Sequence, residues 1–288
     1  MRRSLLIAAL AGTLLASPAQ ADVTVRYRAV LPASAPANVR EHPPTMTISA
    51  DGAGQARLEM AAPGAPVAAA RQPSVAFLTS ANVNYVAVFG PGVAANMLAR
   101  LDDVLALASE FARPLLQGSA REGLQQVMQQ RVEIIPVGPE TVAGIQGNLY
   151  RVVMITGDTR TPPIDFVVAT DPRLAPVGQA FAGMFEAFRP TLVSLLGGEP
   201  QALMAMRGLT GLGAPLRIGN EFRIDSVSTD DVPDSQFALP GPVMSRDQLR
   251  TMATMMMGMM AQRQGQHGAP PAPAAPPATP PGNAATPH

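Results

Sequence analysis

The chain has 288 residues, 21 basic and 21 acidic side chains, and a formal net charge of zero. Charged residues are 15% of the whole and dispersed, which argues against nucleic acid as a partner. The absence of cysteine excludes disulfides, thiol chemistry, cysteine-based zinc sites and iron–sulfur clusters.

The chain opens with Met1-Arg2-Arg3, a short apolar run from Ser4 to Leu15, and Ala19-Gln20-Ala21. A basic start, a run too short to span a bilayer and small residues at a cleavage position make a secretory signal peptide over residues 1–21. The expected mature chain begins at Asp22. Its expected compartment is the periplasm or the exterior, with no membrane span left after cleavage. Without cysteine, anchoring through a lipidated cysteine is excluded.

Asp22 to Leu31 alternates, with Val23, Val25, Tyr27, Ala29 and Leu31 on one side and Thr24, Arg26 and Arg28 on the other. This is the pattern of a half-buried strand. Thr45–Ser49 and Gln55–Met60 flank Asp51-Gly52 and Gly54, and Ser74–Thr79 and Val83–Phe89 flank Ala81-Asn82. Both read as hairpins, so the first third is an antiparallel meander. The period then changes. Met97, Leu101, Val104, Leu105, Ala108 and Phe111 predict an amphipathic helix over 93–112, and Leu124, Val127 and Met128 a second over 118–131.

Strands are expected again at 131–137, 140–145, 149–156 and 164–170. A helix over 175–196, interrupted by Pro190, follows. After a glycine-rich stretch, 216–218 and 221–227 form a last hairpin around Gly219-Asn220, and Phe237-Ala-Leu-Pro240 closes the body. Ser245 and Gln248 make a capping-box start for a helix over 242–264. Residues 265–288 hold eight prolines among alanine and glycine, a composition that cannot form a core and is expected to be disordered.

Val137-Gly-Pro-Glu-Thr-Val-Ala-Gly-Ile145, Asn148-Leu-Tyr-Arg-Val152, Phe166-Val-Val-Ala-Thr-Asp171 and Phe237-Ala-Leu-Pro-Gly241 together resemble a poorly characterised family of exported bacterial domains. The fold of that family is similar to the periplasmic lipoprotein carriers. The resemblance spans roughly 22–241 and implies an α+β domain in which a curved antiparallel sheet, a half-barrel, is covered by helices. Members of that family often carry a cysteine in each of two strands that here read QGNLYRVV and FVVATD, so that cross-link is missing. Between sheet and helices there is either a cavity for lipid or lipoprotein acyl chains or a core filled by the protein's own side chains.

Enzymatic chemistry has little to stand on. The body has one histidine, His42, in a proline-rich loop, and there is no G-x-S-x-G elbow and no lysine. Asp102-Asp103 read as solvent-facing or capping residues, and Asp171 as a turn at a strand end. Gly208-Leu-Thr-Gly-Leu-Gly213 lacks the lysine of a phosphate loop. No cofactor motif is present. The concentrated signal is TMATMMMGMM, residues 251–260. Met252, Met255, Met256 and Met259 recur at i, i+3, i+4 and i+7, one stripe on a helix, widened by Met257 and Met260. Three readings of the stripe stand: a soft face packed on the body or on a ligand, a contact for a partner or lipid, and a thioether site for Cu(I). The sequence leads to an exported, non-enzymatic binding or carrier-like protein for an apolar ligand. An envelope interaction protein and a Cu(I)-binding protein are the alternatives.

Overall fold

The computed structural model describes residues 22–61, 74–89, 97–115, 123, 126 and 130–267. The expected signal peptide, most of the second predicted helix at 118–131 and the tail from 268 lie outside them. The chain forms two compact units, one up to Arg246 and one from Asp247 onward.

The first unit is α+β, built on one open antiparallel sheet. Its strands are β1 (Val23–Ala29), β2 (Thr45–Ala50), β3 (Ala56–Ala61), β4 (Ser74–Ser80), β5 (Val83–Phe89), β6 (Met97–Arg100), β7 (Arg131–Val142), β8 (Ile145–Thr156), β9 (Thr159–Arg160), β10 (Ile164–Ala169), β11 (Pro215–Ile218) and β12 (Phe222–Ser228). They lie in the order β6-β5-β4-β3-β2-β1-β12-β11-β10-β8-β7, with β9 on β8. The hairpins form where turn residues allow. Asp51 Oδ1 accepts the amides of Ala53 at 3.0 Å and Gln55 at 2.7 Å, closing the β2–β3 turn. Ala81 and Asn82 both take positive φ, 48° and 60°, as a two-residue hairpin matched to strand twist requires. Ala143 and Gly144 do the same between β7 and β8.

Four differences from the sequence reading stand out. Met97–Arg100 is a strand on β5, and the helix that follows, α2 (Leu101–Leu115), starts at Leu101; residues 93–96 lie outside the described residues. The short helix α1 (Ala37–Glu41) sits in the proline-rich loop. The two strands expected at 131–137 and 140–145 are one strand, β7, running through Pro136 and Pro139 and bulged between Pro136 and Gly138. It is the terminal strand of the sheet, where proline's missing N–H can face outward without breaking a ladder. The glycine-rich stretch after residue 197 holds a helix.

That helix, α4 (Gln201–Gly211), follows α3 (Ala175–Leu196), which continues through Pro190 and ends at Gly197 with φ 76°. Charge ties α3 to α4: Glu186 meets Arg207 at 2.7 Å and Arg189 at 2.9 Å, and Arg189 reaches Glu199 at 3.6 Å. Ion pairs this exposed contribute little singly, but they share partners and fix the register of the two helices. At its other end α3 buries Pro176, Val177, Gly178 and Phe181. Gly178 is obligatory there, because a Cβ would stand 2.7 Å from the carbonyl carbon of Gly213.

The main core joins Val23, Val25 and Tyr27 of β1, Ile48 of β2, Leu58 of β3, Val167, Leu216 and Ile224 to Leu174, Val177 and Phe181. A second cluster lies on the reverse face of β4–β6, where Ala76, Leu78, Ala87 and Leu98 pack with Leu239. Met244 donates its amide to the Leu98 carbonyl at 2.8 Å, which ties down the segment leading out of the unit. The second unit is described through α5 (Arg246–His267), the helix expected from the capping box.

Candidate apolar binding face

Antiparallel partners share a face, so the sheet's register lays its side chains in rows. One row crosses six strands: Val25, Ile48, Leu58, Phe77, Val86 and Ala99. The next row on the same face is Tyr27, Met46, Met60, Val75, Val88 and Met97. Across twelve positions the sole polar atom is the Tyr27 hydroxyl. α3 crosses this face. Its Phe181 meets Tyr27 and its Phe188 meets Phe77, both edge-on, with ring centroids 5.9 Å and 5.6 Å apart. The spacing of seven residues puts both rings on one side of the helix.

Cover over the face is uneven. Val25 and Ile48 are fully buried, and Tyr27 nearly so. Phe77, Val86, Met46, Val75, Val88 and Met97 are half-buried, and Met60 is 42% exposed. The second row therefore runs from the closed interior at Tyr27 to solvent at Met60. The opposite face of β1 carries Thr24, Arg26 and Arg28, with Arg28 paired to Asp225 at 3.0 Å, so charge is kept off the apolar side. Such a surface can hold an apolar chain by dispersion and by release of water, at about 25 cal/mol for each Å² covered.

Tyr27 is the feature that sequence reasoning missed. Alternation places it inward, but nothing in the sequence shows that its hydroxyl lacks a partner. Among the described residues, the buried side-chain nitrogen and oxygen atoms without a hydrogen bond are Tyr27 Oη, Glu186 Oε1, Glu199 Oε1 and Arg217 Nε. The glutamates face arginines, as above, and the Arg217 guanidinium is held by Glu140 at 2.8 Å through Nη2. The Tyr27 hydroxyl has no such compensation. Burial pushes its pKa far above the ordinary tyrosine value, so it remains a neutral donor.

A rival depression of about 420 Å³ lies among Asn148, Tyr150, Thr170, Asp171, Leu212 and Gly213. Its carboxylate is already engaged: Asp171 accepts the Arg173 amide at 3.0 Å and its guanidinium at 2.6 Å, as expected of a turn residue. The Arg173 hydrogen bonds hold the Asp171 carboxyl below the usual range.

The other residues singled out from the sequence fall elsewhere. Asp102 and Asp103 occupy the first turn of α2, where the helix dipole favours them, and Asp102 is exposed. His42 ends α1. On α5, Met252 is half-buried, whereas Met255, Met256 and Met259 are exposed, Met255 at 63%. The stripe is thus uneven in exposure, with one half-buried methionine and three exposed ones. Among the described residues no group of three or more histidine, cysteine or acidic side chains is placed to hold a metal ion. Nor is any described helix long and apolar enough to cross a membrane.

Compared with known proteins, the chain matches no family model, no curated protein and no solved structure.

Proposed function

We propose that this chain is an exported, non-enzymatic binding or carrier-like protein whose apolar sheet face takes an apolar ligand, with lipid or lipoprotein acyl chains as the ligand class. The observation that carries the reading is the second row of the face, which stays apolar from Tyr27 to Met97 and reaches solvent at Met60. The half-buried members of the row beside Met60 leave apolar area that a ligand can cover. The lipoprotein-carrier resemblance of residues 22–241 and the basic, apolar and Ala-x-Ala segments of residues 1–21 support the same reading.

Native mass spectrometry of the purified protein tests it. A carrier copurifies with lipid, or takes up a fatty-acyl ester added afterwards and melts at a higher temperature with it. A clean unliganded spectrum and an unshifted melting temperature at millimolar ester overturn it. That result would favour the second reading, an envelope interaction protein with a filled core, which the complete burial of Val25 and Ile48 under α3 supports.

A further inference from the structure

Tyr27 carries an inference that rests on the binding reading and sharpens it. A buried hydroxyl left without a hydrogen bond destabilises the fold that holds it. Phenylalanine would fill the same space at no such cost. The hydroxyl is thus an expense of the unliganded fold, and it stands at the closed end of the apolar row, 1% exposed and edge-on to Phe181. The β1–β12 register also shifts between Arg26 and Tyr27. Bulges of this kind re-aim a side chain and gather near functional sites.

The neighbours of Tyr27 decide what it can receive. Across the strands it faces Met46 and Ile224, and α3 covers it with Phe181. The cations beside it in sequence, Arg26 and Arg28, belong to the other face of β1, and its strand partners and ring contact are apolar. A carboxylate brought into these surroundings is desolvated at large cost. A neutral acceptor oxygen suits one neutral O–H donor.

We propose that Tyr27 is the polar anchor of the apolar face, donating its hydroxyl to the carbonyl of an uncharged, ester- or amide-linked acyl chain, and that free fatty acid anions are excluded. The chain of the ligand lies along the row toward Met60.

The test compares methyl palmitate, palmitate and hexadecane by displacement of an environment-sensitive apolar dye from the full-length protein and from Tyr27→Phe. The wild type binds methyl palmitate more tightly than either of the others. In Y27F the affinity for methyl palmitate falls about fivefold to tenfold, the share of one neutral hydrogen bond. Hexadecane affinity stays unchanged, and unliganded Y27F melts no lower than the wild type. Equal affinity of the two proteins for methyl palmitate overturns the anchor, as does an equal loss for hexadecane. Tighter binding of palmitate than of its ester overturns the neutral-ligand preference. If Y27F does not fold cooperatively, the wild type decides alone: hexadecane binding as well as the ester overturns the anchor. A wild type that takes none of the three overturns the binding reading itself, a failure distinct from the others.

Discussion

Tyr27 of β1 and Phe181 of α3 meet as a T-shaped pair, centroids 5.9 Å apart and planes 86° from each other. Phe181 is almost wholly buried there, while Phe188, two turns on, is only half-buried against Phe77. Truncation leaves a cavity only where surroundings are packed. Phe181→Ala is therefore expected to cost about 3–5 kcal/mol in urea unfolding, and Phe188→Ala clearly less. Equal costs would mean that the two ends of α3 are equally closed, which would remove the open lane along the second row.

Two glycines of the same helix make a matched pair. Gly178 lies against Gly213 and Ala214, where a Cβ would meet backbone atoms at 2.7 Å and 2.8 Å. Gly183, five residues on, has nothing within 4 Å of that position. Alanine improves helix propensity at both by up to about 1 kcal/mol. Gly183→Ala should raise the melting temperature, and Gly178→Ala should lower it by a net cost of at least about 1 kcal/mol, because backbone cannot yield as a flexible side chain does. A neutral or stabilising Gly178→Ala would show that α3 does not seat against the start of β11 as described.

Much of the sheet is legible in the sequence, because a half-buried strand writes its period directly: Val23, Val25, Tyr27 and Ala29 are the buried set of β1. The β4–β5 and β11–β12 turns are equally direct. What misleads is chemistry with two meanings. Met97-Leu98-Ala99-Arg100 has helix-forming residues, yet β5 offers it an open edge and pairing wins over propensity. Gly208, Gly211 and Gly213 read as breakers, but α4 is fastened from outside by Arg207 on Glu186 and by the buried Leu203 and Leu209. The expected strands at 131–137 and 140–145 part at Gly138-Pro139 because a sequence does not say which strand lies at the edge, where proline is tolerated. The apolar face was visible as alternation, strand by strand. Its alignment into rows depends on register, and the missing partner of Tyr27 depends on everything packed around it.

Alkaline pH reports on Tyr27 independently of any ligand. Its folded pKa is raised by burial, while in the unfolded chain it is about 10. Above pH 10 the unfolded state loses this proton and the folded state keeps it. The unfolded state then binds fewer protons, so stability falls as pH rises, by at most about 1.4 kcal/mol per unit from this group. Below pH 10 the contribution is flat. Tyr27→Phe should remove that slope, seen as a shallower loss of urea midpoint between pH 10 and 11. Parallel curves for the two proteins would place the hydroxyl in contact with water.

Methionine oxidation can locate the ligand without mutation. Met60 is 42% exposed in the middle of the second row, and Met255, Met256 and Met259 are exposed on α5. Dilute peroxide should convert all four to sulfoxide ahead of the half-buried Met46, as exposure governs access. With methyl palmitate present, peptide mass spectrometry should show Met60 slowed severalfold and Met255, Met256 and Met259 unaffected, since an acyl chain along the row covers the first and not the others. The reverse pattern, with Met60 unchanged and the α5 methionines slowed, would move the ligand from the sheet face to the thioether stripe of the second unit. Thioethers suit adaptable apolar contact as well as soft metal, so retention of Cu(I) against a mild chelator, without peroxide, separates those two uses of the stripe: a thioether site holds the metal and loses it when Met252, Met255, Met256 and Met259 are replaced by leucine, whereas an apolar contact face retains none in either protein.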